Sequence, residues 1–203
     1  MPGIAVRWGV STTVPGTSAE DFRDRMLPLD VGSTVCTQAE DTMTELSTDD
    51  LAFLRRSISA AERSRAEGRH PFAALVVDAA GRVVAEAGNN SLPPEGDPTQ
   101  HAELRAVAAA YRELGAEGMS GSTLYTSAEP CAMCSGAVYW TGVDRVVYAL
   151  SEHRLLELTG DHPENPTFSL PCREVFARGQ RSIVVSGPHL EEEASSAHRG
   201  FWE

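Results

Sequence analysis

Two short stretches decide how this chain is read: residues 101–103, HAE, and residues 127–136, SAEPCAMCSG. Pro130 opens a helix well, because the first helical residue needs no N–H. Cys131 and Cys134 follow it three positions apart, so in a first helical turn both thiols share one face. The positive end of a helix favours thiolates, the form that binds a metal. His101 also stands where a helix begins, behind the turn-forming run Asp97-Pro98-Thr99. Residues two apart on a helix point nearly opposite ways, so His101 must lie at the helix entry if it and Glu103 serve one centre. One imidazole and two thiolates make three ligands, the set of a catalytic zinc with an open position for an acidified water. A structural zinc wants a fourth ligand, and Cys36, Cys172 and the other histidines sit in unsuitable contexts. Glu103 is the natural proton carrier at such a centre.

The segments around these stretches alternate in type. TDDLAFLRRSISAAERSRA carries Leu51, Leu54, Ile58 and Ala61 at helical spacing, with Ser47 or Thr48 as cap and Asp49 and Asp50 suiting the helix dipole. PFAALVVD and GRVVAEAG read as strands around the turn DAAGR. HAELRAVAAAYREL is a helix with Leu104, Val107, Ala108 and Tyr111 on one face, and STLYTSA a short strand before the helix of the two cysteines. Beyond it come the strand DRVVYAL, the helix EHRLLEL, a Pro-rich loop, the short helix CREVFAR, the strand SIVVSG and a last helix, LEEEASSAHRGFW. Strands alternating with helices predict an α/β layered fold with helices on both faces of one sheet. Residues 1–42 mix Gly, Pro, Ser and Thr with no sustained period and read as a flexible N-terminal extension, leaving 43–203 as the domain.

Composition excludes several functions. All 17 basic residues are arginine. The chain therefore has no lysine for a Walker-type phosphate loop, a Schiff base or a general base. A formal net charge of −12 weighs against a large nucleic-acid surface. No apolar run approaches the roughly 20 residues of a membrane helix. The opening MPGIAVRWGVSTTVPG does not read as a secretory signal, so the expected location is cytoplasmic. Four cysteines in 203 residues make no disulfide framework; in a reducing cell the Cys-x-x-Cys pair points to metal or redox chemistry.

H-x-E combined with P-C-x-x-C matches the signature of zinc deaminases. At DPTQHAE, LYTSAEPCAMCSGAVYW and PFAALVV the chain resembles the cytidine-deaminase-like superfamily, over about residues 51–150. Within it the likeness is to the branch of guanine deaminases and tRNA adenosine deaminases, with Tyr139-Trp140 after the second cysteine nearer the former. The resemblance implies a three-layer α/β/α sandwich around a mostly parallel five-stranded central sheet. It implies zinc on His101, Cys131 and Cys134, Glu103 as catalytic proton shuttle, Asn89 reading the base edge, and Phe72 packed against the ring. Read for themselves, Asn89 also suits a turn and Phe72 a strand core. The resemblance extends substrate contact to Ala102. It further implies a homodimer whose C-terminal tail, with Phe201 and Trp202, closes the partner's site. The family uses an acidic residue beyond the fourth strand to hold guanine's amino group; Asp161 or Glu157 stands in that region here, in a loop that departs from the family pattern.

The expected activity is deamination of a free nucleobase-like small molecule, with guanine first. Cytosine, isocytosine-like and triazine-type rings, or a nucleoside, are alternatives. A tRNA adenosine deaminase shares the zinc motifs but needs a basic RNA surface. A non-catalytic zinc-stabilised module leaves Glu103 without a use, and a redox Cys-x-x-Cys protein leaves both His101 and Glu103 unexplained.

Overall fold

The first helix shows how local signals set the frame. Ser47 and Asp50 form a reciprocal capping box, and the helix they start, α1, runs Thr48–Ala66. In this computed structural model residues 46–203 are described; the expected 1–42 extension and Cys36 lie outside them. The elements that follow are β1 (Ala73–Val77), β2 (Val83–Gly88), α2 (Ala102–Gly118), β3 (Thr123–Ala128), α3 (Ala132–Thr141), β4 (Arg145–Leu150), α4 (Glu152–Thr159), α5 (Cys172–Ala177), β5 (Val184–Ser186) and α6 (Glu191–Ser195). The helical pattern ending at Leu114 has a physical stop, since Gly115 adopts φ 66, which breaks the helical geometry of α2. The expected last helix is shorter than its sequence pattern: α6 ends at Ser195, and turns carry the chain on to Trp202.

The five strands form one sheet in the order β2-β1-β3-β4-β5. The β3–β4 and β4–β5 pairs are parallel, while β1 runs antiparallel to both β2 and β3. The expectation of a mostly parallel sheet is thereby corrected to a mixed one. The hairpin returns β2 beside β1, and α2 then carries the chain across β1 to the far side, where β3 runs in the direction of β2. Alternation along the strands separates two cores. Ala74, Val76, Leu124, Val146 and Tyr148 face the side of α2, α3 and α5, whereas Leu75, Val77, Tyr125, Val147 and Ala149 face α1 and α6. The result is the expected three-layer α/β/α sandwich. Among the described residues no helix is long and apolar enough to cross a membrane.

Candidate active site

His101 and Cys131 occupy equivalent places, each the extended residue just before a helix, α2 and α3 respectively. Neither side chain caps its own helix, so imidazole and thiol are free to turn toward a common point. Cys134, in the first turn of α3, is fully buried. His101 Nδ1 stands 3.6 Å from Cys131 Sγ. The ligand atoms of His101, Cys131 and Cys134 all lie within 4.8 Å of one another. With bonds of about 2.0–2.1 Å to nitrogen and about 2.3 Å to sulfur, a tetrahedral zinc sets an N and an S ligand about 3.5 Å apart. The observed spacing matches, so the donor set fits zinc. The hydrogen bond with Cys134 draws the Cys131 pKa down to about 4, and the same contact pushes Cys134 well above its ordinary value. The hydrogen bond with Cys131 raises the His101 pKa.

Glu103 sits beside this set, buried, with Oε2 3.6 Å from Cys134 Sγ and Oε1 3.4 Å from Thr126 Oγ1. Burial pushes its pKa to about 7, against the lowering influence of His101. A carboxyl near neutrality both accepts and gives up a proton readily, which suits a shuttle. The site opens into a cavity of about 600 Å³ whose walls include His70, Phe72, Asn89, His101, Glu103, Cys131 and Glu152. Glu129 sets part of that wall. Its buried carboxylate accepts from the backbone N–H of Glu152 (3.1 Å) and of Cys172 (3.0 Å), the first residues of α4 and α5. This fixes Glu152 at the cavity, where burial raises its pKa to about 8.

The sequence matches the model of the cytidine and deoxycytidylate deaminase zinc-binding region over residues 47–150. The chain belongs to this zinc-binding deaminase family. One relative, a probable cytosine deaminase of Schizosaccharomyces pombe, is 43% identical over 160 residues, covering 79% of this chain and 96% of the relative. The guanine deaminase of Bacillus subtilis is 43% identical over 102 residues, 50% of this chain and 64% of that protein. Among solved structures, a guanine deaminase from Nitrosomonas europaea superposes with a TM-score of 0.61 at 27% identity, covering 76% of this chain and 84% of that one.

In this deaminase-family chain the structure gathers His101, Cys131, Glu103, Asn89 and Phe72 at one cavity, with Cys134 buried beside His101 and Cys131. Three residues expected at the substrate have side chains outside the wall of this cavity. Asp161 is exposed in the turn after α4 and is not part of the cavity wall, because the helix ends at Thr159 and releases the chain toward solvent; Glu157 is tied up with Arg154 on the surface. The buried acid beyond the fourth strand is Glu152. Ala102 turns its side chain into the core, being the first residue of α2. Trp202 stands behind the wall, packed on His70 (ring centroids 5.2 Å) and Phe72 (6.1 Å). The tail packs on its own chain, where Arg65 of α1 donates to the carbonyls of Ala197 (3.0 Å) and Arg199 (2.8 Å) and lies over Phe201. The sequence reading missed Glu152, Glu129 and His70; the one available signal was the acid immediately after the fourth strand.

Proposed function

We propose that the chain hydrolyses the exocyclic amine of a free nucleobase, exchanging it for a carbonyl and releasing ammonia. The observation that carries this reading is Glu103, a buried carboxyl with a pKa near 7 beside a three-ligand metal set at the wall of a cavity. His101, Cys131 and Cys134 would hold zinc, which when bound supplies an acidified water. Glu103 takes a proton from water, passes it to a ring nitrogen, and carries the second proton to the departing amine, so that ammonia leaves neutral. Asn89 offers its amide to a ring carbonyl and Glu152 faces a ring N–H or amine. Phe72 packs on the ring, and Ala102 contributes its backbone N–H, an unpaired donor of a first helical turn.

Cytosine is the first ring in this reading. The S. pombe relative aligns over 96% of its length, and the tail here closes on its own chain. Guanine is the second, supported by the structural likeness to the N. europaea enzyme. The metal-ligating thiols need a reducing, cytoplasmic setting. The chain works as a homodimer, with a second copy covering the uncharged helix α3, where Trp140 is 82% exposed and Met133, two turns earlier on the same stripe, is also exposed. Ammonia release from cytosine, guanine, isocytosine, adenine and their nucleosides tests the reading. Release from a free base, abolished in Glu103→Ala, supports it; release only from nucleosides or RNA contradicts it.

A further inference from the structure

His70 lies outside the metal site and outside every motif, yet three separate segments meet on it. Its ring is buried. Nδ1 is 3.1 Å from Ser91 Oγ, in the loop after β2. Nε2 is 3.1 Å from Glu164 Oε2, in the 163–168 segment that forms part of the cavity wall. The ring packs at a tilt against Trp202 and meets Phe201 edge-on at a centroid distance of 6.0 Å. Ser91 in turn donates to Asn89 Oδ1 twice, through its hydroxyl (2.7 Å) and its backbone N–H (2.8 Å).

Counting protons gives the line a direction. A serine hydroxyl has a single proton and a neutral imidazole a single N–H. Ser91 spends its proton on Asn89, so His70 Nδ1–H is the donor to Ser91. Nε2, the other ring nitrogen, meets Glu164 Oε2 and completes the line. With two donors on its oxygen, the buried Asn89 amide cannot flip without breaking both bonds, and Nδ2 is the end offered to a ligand.

We propose that His70 is a positioning residue that ties the 163–168 segment and the C-terminal tail to the orientation of Asn89. Groups that enclose the cavity and the amide that reads the ring are thereby set together. A bound ring that engages Asn89 also firms the wall beside it, and a loosened wall costs the ring its amide. This rests on the reading that Asn89 contacts substrate.

The experiment uses the full chain with three variants: His70→Phe, which keeps a ring against Trp202 and removes both hydrogen bonds, Ser91→Ala, and the double variant. On the ring that the wild type hydrolyses, each single variant is expected to raise KM about 3–10-fold, the worth of one buried hydrogen bond, with kcat changed less and zinc content unchanged. Because both residues act through one line, the double variant should be no worse than the poorer single one. Fold-changes that multiply in the double variant overturn the proposal, as does an unchanged KM in His70→Phe. Amide hydrogen exchange of residues 163–168, read without substrate, decides the coupling even if no ring is turned over and the functional reading fails. Faster exchange there in Ser91→Ala, a change made on the opposite side of His70, supports the proposal. Exchange equal to wild type overturns it.

Discussion

Replacing Asp50 by alanine breaks the most connected buried carboxylate on the α1 face of the sheet. Its Oδ2 accepts from the backbone N–H (3.1 Å) and hydroxyl (2.9 Å) of Ser47, completing the cap of α1. Its Oδ1 accepts from Tyr125 Oη (2.6 Å) on β3 and from Arg145 Nη1 (2.5 Å) on β4. Loss of the cap costs about 1 kcal/mol. Breaking a buried ion pair costs about 3–5 kcal/mol; the Arg145 side chain keeps 28% of its exposure, which places this site at the lower end of that range. The sum is about 4 kcal/mol, and at about 2–4 °C per kcal/mol for a domain of this size Tm should fall by roughly 8–16 °C. The pH dependence has a definite sign. Burial alone would raise the Asp50 pKa, but hydrogen bonds from Arg145, Tyr125 and Ser47 outweigh it and hold the carboxyl far below its usual value. Its stabilisation is therefore present above the unfolded pKa of about 3.9 and is lost as pH falls toward the folded value. Thermal melts followed by circular dichroism at pH 7 and at pH 2.5 check both parts. A Tm within 2 °C of wild type at pH 7, or a gap that does not narrow in acid, would refute the reasoning.

Gly179→Ala should lower Tm, because the new Cβ would fall 2.4 Å from Tyr139 Cε2; overpacking of this kind costs about 1–3 kcal/mol, and zinc content should not change. Glu152 has a pKa of about 8 and is mostly protonated at pH 7. Glu152→Gln should therefore keep KM near the wild-type value at pH 7 and diverge from it by pH 9, where the wild-type carboxyl ionises; a ratio flat from pH 6 to 9 contradicts this. Trp140→Glu should convert the proposed homodimer to a monomer in sedimentation velocity, and a chain that is monomeric before the substitution contradicts the proposed α3 interface.

The metal set was legible because its information is local. Helix starts at His101 and Cys131 are written in the turn formers before them, and an i, i+3 pair of thiols cannot avoid sharing a face. The strands were legible for the same reason, since the unbroken apolar runs in AALVV and RVVYAL mark burial on both faces whatever their direction. Direction itself is not local. The antiparallel β1–β3 pair depends on where α2 delivers the chain, and period-two alternation is identical in either orientation. Glu152 was passed over because its burial is not written in its neighbours; Glu129, 23 residues earlier, fixes the start of α4 through a hydrogen bond across the fold. Trp202, expected in a tail that closes the partner's site, packs on His70 and Phe72 of its own chain, behind the cavity wall.

The most direct test of the central claim measures zinc and ammonia release together in wild type and Glu103→Gln. The account predicts one zinc per chain in both proteins, with ammonia release in Glu103→Gln reduced by about 10²–10⁴-fold, the worth of a positioned proton carrier. Ammonia release that survives the substitution, or an active wild-type protein without zinc, would contradict it.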